Sequence, residues 1–158
     1  MQVTESPSWR PISDHFLGDH RRLELIFEQV LAAIAEDDRE ALALAWLDFE
    51  VGLLTHLKAE ERYLIPSLLN SSPRDAQAIV TEHQHIRTRL ADLGAAVDLH
   101  TLRLEAAKGF IDELRAHARR EDALLYRWAD ESLAAGERTS LFAALSQSVR
   151  KAILRDSK

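Results

Sequence analysis

The sequence contains no cysteine. That absence excludes a disulfide framework, a thiolate zinc site, an iron–sulfur cluster and a cysteine nucleophile, so histidine and carboxylate side chains must hold any metal. Glycine and proline are also scarce, at 5 and 4 of 158 residues, and they interrupt few stretches. This composition, dominated by Ala, Leu, Glu and Arg, is typical of helices, and the length suits one domain with a real core.

Basic patches and long apolar runs are missing as well. The net charge is -6 and the pI about 5.6, which argues against a nucleic-acid or anionic-membrane partner. No apolar run approaches the length of a membrane span, and the polar N-terminus lacks the apolar core of a signal peptide. We therefore expect a cytoplasmic protein that binds neither nucleic acid nor a membrane.

Apolar residues at helical spacing predict helices separated by short polar turns. The predicted helices cover about residues 13–35, 39–69, 73–97, 102–134 and 138–155. Pro66 lies inside the second range and should kink that helix or end its regular part. Because helices joined by short turns pack antiparallel, the first four predict an all-α, up-down-up-down antiparallel four-helix bundle with an additional C-terminal helix. The chain then divides into an N-terminal arm (1–12), the bundle (13–135) and a C-terminal helix packed on it (136–158).

A His-x-x-x-Glu unit occurs twice, at His56–Glu60 and at His117–Glu121. Residues four apart lie on one face of a helix, so each unit presents an imidazole and a carboxylate together. A surface helix uses the same spacing for an ionic contact worth only about 0.2–0.5 kcal/mol, and a single pair is more often that. The positions of the other histidines favour a chemical role.

Four histidines are predicted to lie at one height in the bundle: His20, His56, His83 and His117. Neighbouring antiparallel helices place two residues level when the turn between them is at their midpoint. The midpoints fall at residue 38, at 69–70 and at residue 100, all of them in predicted turns. Each histidine also follows an apolar residue by three positions, so we expect it to face the interior, as do Glu60 and Glu121. Apolar layers on the same faces are Phe27, Phe49, Ile86, Leu90, Phe110 and Leu124.

Unpaired ionisable groups in an apolar interior would cost several kcal/mol each. A bound pair of dications removes that penalty, and six nitrogen and oxygen ligands suit two first-row metals. The predicted metal ligands are therefore His20, His56, Glu60, His83, His117 and Glu121. The remaining histidines lie on other faces or in a turn and receive no such role: His15, His85 and His100.

Other polar residues near this layer leave alternatives open. Glu24 follows His20 by four, and it either ligates a metal, supports a ligand or makes a surface ion pair. Tyr63 shares the face of His56 and either hydrogen-bonds near the site or packs in the core. Glu24 and Glu113 are candidates to accept the second ring N–H of a ligand histidine. Three acidic residues next to ligands in sequence are turned about 100° away: Glu61, Glu82 and Asp122.

The ordered motifs resemble a known family. They are Asp19-His20-Arg21-Arg22-Leu23-Glu24, His56-x-x-x-Glu60-Glu61-x-x-Leu64-x-Pro66, Glu82-His83 and His117-x-x-x-Glu121-Asp122. This set is similar to the hemerythrin-like HHE cation-binding domain, and it covers about residues 13–130. Ferritin-like di-iron bundles use Glu-x-x-His twice. Here that motif occurs once, at Glu82–His85, so the ferritin family is a weaker match.

The resemblance implies an up-down four-helix bundle holding two non-haem irons, bridged by two carboxylates and an oxo or hydroxo group. By the family pattern, Glu60 and Glu121 are the bridges. His20 and His56 would ligate one iron, and His83 and His117 the other. Oxygen-carrying hemerythrins place a second histidine on the third helix, four residues from the first. The corresponding positions here are Ile79 and Arg87, so that fifth histidine is missing.

Sites with four histidines and two carboxylates resemble hemerythrin-like proteins linked to iron-centre repair and to nitric-oxide or peroxide handling. The repair proteins also carry a cysteine-bearing domain, which this sequence lacks. The first hypothesis is thus a protein that binds O2, NO or peroxide for sensing, storage or detoxification. The second is a di-iron oxidoreductase that reduces peroxide or NO with an electron donor as partner. The third is a structural or interaction bundle with degenerate metal binding.

Overall fold

The computed structural model describes residues 12–133, 137, 140–141 and 143–144. Its helices are α1 (Ile12–Ala35), α2 (Arg39–Tyr63), α3 (Ile65–Ser71), α4 (Pro73–Asp98), α5 (Leu104–Glu121) and α6 (Arg127–Ser132). A π-helical turn, Asp122–Tyr126, joins α5 to α6. The all-α prediction is confirmed. The proposed arm and most of the proposed C-terminal helix lie outside the described residues, and Ile12, assigned to the arm, belongs to α1.

Local signals explain where the helices begin and end. Asp38 caps α2 by accepting a hydrogen bond from the backbone N–H of Ala41 at 3.0 Å. Pro66 has no N–H to donate, and α2 ends at Tyr63 before α3 starts, as the sequence predicted. The turns before α2 and after α4 each contain a residue with positive φ, at Asp37 and His100. Such left-handed residues end a helix and let the chain reverse.

The long helices form a closed ring of neighbours. Helix α1 packs against α2 and α5, while α4 packs against the other sides of α2 and α5. This order leaves α2 and α5 diagonal to each other, as in an up-down-up-down bundle. The short helix α3 follows α2 and packs on α4. No helix in the described part of the chain is long and apolar enough to cross a membrane.

Two apolar clusters fill the bundle, and a polar layer separates them along every long helix. The first cluster, called the inner cluster, includes Leu23, Phe27, Phe49, Leu53, Leu90, Phe110 and Leu114. The second, called the end cluster, includes Ile12, Phe16, Leu64, Leu68, Ile79, Leu125 and Tyr126. Between them lie buried ionisable side chains: His56, Glu60, His83, His117 and Glu121. The fold therefore encloses a set of charges that apolar packing alone cannot stabilise.

The π turn corrects one expectation about the core. Leu124, predicted to face inward, is 48% exposed, whereas Leu125 and Tyr126 are fully buried. An uninterrupted α-helix over residues 102–134 would place the residue three after Glu121 on its inward face. The π turn bonds i to i+5 and so widens the helix locally. The inward face consequently passes to Leu125 and Tyr126.

Candidate metal centre

The structure brings the six predicted ligands together in the polar layer. Helix α1 supplies His20, and α4 supplies His83. Helices α2 and α5 each supply one His-x-x-x-Glu unit. The ligand atoms form two groups, within each of which all atoms lie within 4.8 Å of one another: His20, His56, Glu60 and Glu121 in one, and Glu60, His83, His117 and Glu121 in the other. Each group could hold a metal ion, and the two groups share both carboxylates.

The shared carboxylates face both groups. Glu60 places Oε1 3.2 Å from Nε2 of His56 and Oε2 3.2 Å from Nε2 of His83. Glu121 places Oε1 2.9 Å from Nε2 of His117. The same oxygen lies 3.9 Å from Nε2 of His20, across the layer. Because α2 and α5 are diagonal, the two carboxylates approach from opposite sides, and each can span a pair of ions.

Buried atoms without hydrogen-bond partners test whether these residues fit a metal. In the polar layer they are Glu60 Oε2, His83 Nε2, His117 Nε2 and both carboxylate oxygens of Glu121. Leaving a buried polar atom unpaired costs about 1–3 kcal/mol, and folded proteins rarely leave several together. Nitrogen and oxygen lone pairs pointing into one small space are a donor set for cations. The residues therefore fit a metal pair.

The electrostatics of the layer agree with that fit. Burial and the neighbouring charge of Glu60 raise the pKa of Glu121 well above its usual range. Burial, together with the nearby His56, lowers the pKa of His20 to about 4, which keeps this imidazole neutral. Burial opposes protonation of His83, but Glu121 and Glu60 outweigh it and raise its pKa to about 9. Without a cation the layer must hold protons, which metal ions would displace.

A second set of carboxylates orients three of the imidazoles through Nδ1. His56 meets Asp19 at 3.1 Å, His83 meets Glu61 at 2.9 Å, and His117 meets Glu82 at 2.5 Å. Each carboxylate is itself bound by an arginine, in the pairs Asp19–Arg22, Glu61–Arg87 and Glu82–Arg120. A carboxylate that accepts the Nδ1 proton fixes the tautomer that leaves Nε2 free for a metal.

The predicted acceptors, Glu24 and Glu113, are not the residues that bind these three imidazoles. Glu24 instead accepts two hydrogen bonds from Arg115, at 2.8 and 2.9 Å, which matches its surface ion-pair alternative. Glu113 lies near His85 and Arg89. The actual acceptors reach a histidine on the next helix of the ring. Each is next to a ligand in sequence, and its turn of about 100° aims it sideways at the neighbouring helix. This offset of about 100° can be read from the sequence and could have identified these acceptors.

The remaining candidates take structural positions. Tyr63 packs beside the end cluster, with the guanidinium of Arg62 5.4 Å from its ring centre. The ring of His15 packs edge-on against that of Phe16, with 5.2 Å between the ring centres. His85 is on the surface, and His100 lies in the turn after α4. In the part of the chain that the structure describes, none of these belongs to either metal-binding group.

Tyr126 is the site residue that sequence reasoning missed. Its side chain is fully buried, and its hydroxyl donates a short hydrogen bond to Glu60 Oε1. The hydroxyl oxygen of Tyr126 also lies 3.1 Å from Nε2 of His20 and 3.4 Å from Nε2 of His56. Burial, then the Glu60 and Glu121 carboxylates, raise the pKa of Tyr126 strongly. A motif search at α-helical spacing cannot find this residue because the π turn places it at the site.

A cavity of about 50 Å³ adjoins the layer on the side of the inner cluster. Its polar wall includes His20, His56, His117 and Glu121. Its apolar wall includes Leu23, Phe27, Leu53, Leu57 and Leu114. The Glu24–Arg115 ion pair contributes to its lining and is partly exposed. A water molecule needs about 10–15 Å³ of such space, so this cavity has room for a ligand of a few heavy atoms.

Comparison with known proteins agrees with the geometry. The family model described as "Hemerythrin HHE cation binding domain" matches residues 12–129, with a second match over residues 74–153. Neither the curated proteins nor the solved structures give a significant match. All six residues of the two groups fall within the first matched range. The chain therefore belongs to the hemerythrin HHE cation-binding domain family.

Proposed function

We propose that this chain is a non-haem di-iron protein that binds O2, NO or peroxide at a carboxylate-bridged centre, for sensing, storage or detoxification. One observation carries the proposal: the two four-residue groups share Glu60 and Glu121, and five of their buried ligand atoms, on Glu60, His83, His117 and Glu121, have no hydrogen-bond partner. His20 and His56 would hold one iron, and His83 and His117 would hold the other. An oxo or hydroxo group would complete the bridge. The bound irons would supply an electron couple between the diferrous and diferric states.

The donor types support iron. Imidazole with carboxylate suits iron, zinc and manganese, whereas soft-metal and iron–sulfur sites need thiolates. This chain has no cysteine. The outer carboxylates Asp19, Glu61 and Glu82 hold three imidazoles in place. Such partners raise the basicity of a ligand histidine, which stabilises the higher oxidation state.

The cavity supports a small ligand. Its small enclosed volume, about 50 Å³, suits a small ligand. Its apolar wall, with Leu23, Leu53 and Leu114, lines the approach to the centre. An uncharged diatomic molecule enters such a space at little desolvation cost and neutral peroxide at a moderate one, whereas the cost for a multiply charged substrate is far higher.

The missing fifth histidine favours a second candidate, reduction of peroxide or NO. Ile79 is 4% exposed and packs in the end cluster, and Arg87 binds Glu61. Neither side chain is placed to ligate a metal. Each group therefore offers two imidazoles and the shared carboxylates, which leaves coordination positions open for a reacting ligand. This candidate also requires an electron donor.

The experiment loads metal-free protein with Fe²⁺ under anaerobic conditions and then adds O2, NO or peroxide in separate samples. A stable, stoichiometric spectral change that reverses when the gas is removed indicates reversible binding. Consumption of many equivalents of peroxide or NO per chain, with an electron donor present, indicates the enzyme. A spectrum that none of the three ligands changes contradicts both. Glu60→Gln is the matched control, because it removes a shared ligand oxygen and keeps the side-chain size.

A further inference from the structure

Tyr126 places an oxygen among the ligand atoms of one metal-binding group. Its hydroxyl lies 3.1 Å from His20 Nε2 and 3.4 Å from His56 Nε2, and it bonds to Glu60 Oε1. Those three atoms lie close together themselves, with 3.0 Å between the two nitrogens and 3.2 Å between His56 Nε2 and Glu60 Oε1. The four atoms thus form one compact cluster.

These separations are also compatible with atoms that share a metal. Two ligands at right angles on an octahedral ion, each bound at about 2.1 Å, are about 3.0 Å apart. The contacts of the Tyr126 hydroxyl with the two histidines are close to that value. An ion placed between His20, His56 and Glu60 would therefore have the phenolic oxygen at bonding distance.

The backbone positions this oxygen by a special local structure. In a regular α-helix, Tyr126 would be turned about 140° from Glu121, because five residues turn through about 500°. The π turn Asp122–Tyr126 brings it to the inward face instead. Phe16 then stacks on the Tyr126 ring, with ring centres 5.2 Å apart. Single π turns inside helices occur frequently at functional sites.

The two metal-binding groups differ in whether a hydroxyl lies beside their histidines. Among residues 12–133, no hydroxyl has a hydrogen bond to His83 Nε2 or His117 Nε2, which would be the counterpart in the other group. Tyr126 also does not line the cavity, which opens on the opposite side of the layer. The phenol therefore covers the centre from the end cluster and leaves the cavity side free.

We infer that Tyr126 is a seventh protein ligand of the centre, bound through its phenolic oxygen to the metal that His20 and His56 hold. This inference rests on the proposed di-iron function. The O–H bond of the phenol is replaced by an oxygen–metal bond, and the proton leaves to solvent. The His20/His56 metal then has one open position fewer than the His83/His117 metal. Exogenous ligand approaches from the cavity side, opposite the phenol.

The test uses full-length protein loaded with Fe²⁺ and oxidised to the ferric state. A phenolate on ferric iron gives a visible charge-transfer absorption, and resonance Raman excitation into it enhances tyrosine ring vibrations. The chain has two tyrosines, Tyr63 and Tyr126, so the source can be assigned. We expect Tyr126→Phe to lose the absorption and the ring vibrations completely while it keeps two irons per chain. Tyr63→Phe, the matched control, should keep both signals.

Each other outcome decides the question. Two irons per chain without tyrosine vibrations overturn this inference and leave the proposed function intact. Vibrations that persist in Tyr126→Phe overturn it equally. A wild-type chain that binds no iron overturns the proposed function and this inference together. If Tyr126→Phe does not fold, ring-deuterated Tyr63→Phe protein decides, because its only tyrosine is Tyr126 and the isotope shift must appear if that residue is the ligand.

Discussion

Removing the metals should destabilise the bundle clearly. The perturbation is chelation, which leaves the buried atoms of Glu60, His83, His117 and Glu121 without partners. An ion that binds only the folded state adds about 2.7 kcal/mol when its free concentration is 100 times its Kd. For a chain of this length each kcal/mol shifts the melting temperature by about 2–4 °C, so one bound ion adds roughly 5–10 °C.

The assay compares thermal unfolding of metal-loaded and metal-stripped protein by far-ultraviolet circular dichroism, with metal content measured in both samples. Glu60→Gln serves as the control, because a chain that has lost a shared ligand should respond little to chelator. An identical transition in loaded and stripped wild-type protein would refute the reasoning. It would mean that protons and water satisfy the layer as well as metals do.

Three further predictions follow from the geometry of the centre. Glu60→Gln or Glu121→Gln should lose one or both metals and the oxo-bridge absorption, whereas Glu24→Gln, which breaks the Arg115 pair, should keep the metal count. Equal metal losses in all three variants, measured by elemental analysis, would contradict these roles. Glu61→Gln and Glu82→Gln should weaken metal affinity about 10–100-fold in chelator competition. An unchanged affinity, or an equal loss in the control variant Glu113→Gln, would show that the Nδ1 contacts do not matter. Metal affinity should rise with pH from about 6.5 to 9, because His83, whose pKa is about 9 in the metal-free protein, must lose its proton to bind. Calorimetry in buffers of different ionisation enthalpy would detect the released protons, and binding heats that do not depend on the buffer would contradict this prediction.

The raised pKa of His83 also predicts how the stability of the metal-free protein depends on pH. The pKa of His83 is raised in the folded chain, so its protonation stabilises metal-free protein below about pH 6.5. That contribution is lost as the pH rises through about 9. Metal binding has the opposite dependence, and the difference between loaded and stripped protein should therefore widen as the pH rises.

Much of the fold and of the candidate site could be predicted from the sequence. Polar turns predicted at residue 38, at 69–70 and at residue 100 marked the midpoints between successive histidines. In the structure the second break comes slightly later, at Ser72 after α3. Helical periodicity then required the four imidazoles to share a height and to face inward. The structure places His20, His56, His83 and His117 in one layer with both carboxylates. Their role as metal ligands stays a prediction.

The parts that could not be predicted depend on contacts between helices and on a local departure from α-helical geometry. Asp19, Glu61 and Glu82 orient histidines on neighbouring helices, which reasoning within one helix does not reveal. Nothing in the run Asp122–Tyr126 marks a π turn, and reasoning from periodicity assumes α-helical geometry throughout. Leu124 was therefore placed inside and Tyr126 was overlooked.

The central claim is that one chain holds two metal ions in the layer between the inner and end clusters. The most direct test is elemental analysis of protein reconstituted with Fe²⁺ under anaerobic conditions and freed of unbound metal. The geometry of the two groups that share Glu60 and Glu121 predicts two irons per chain. A value near zero would contradict the account.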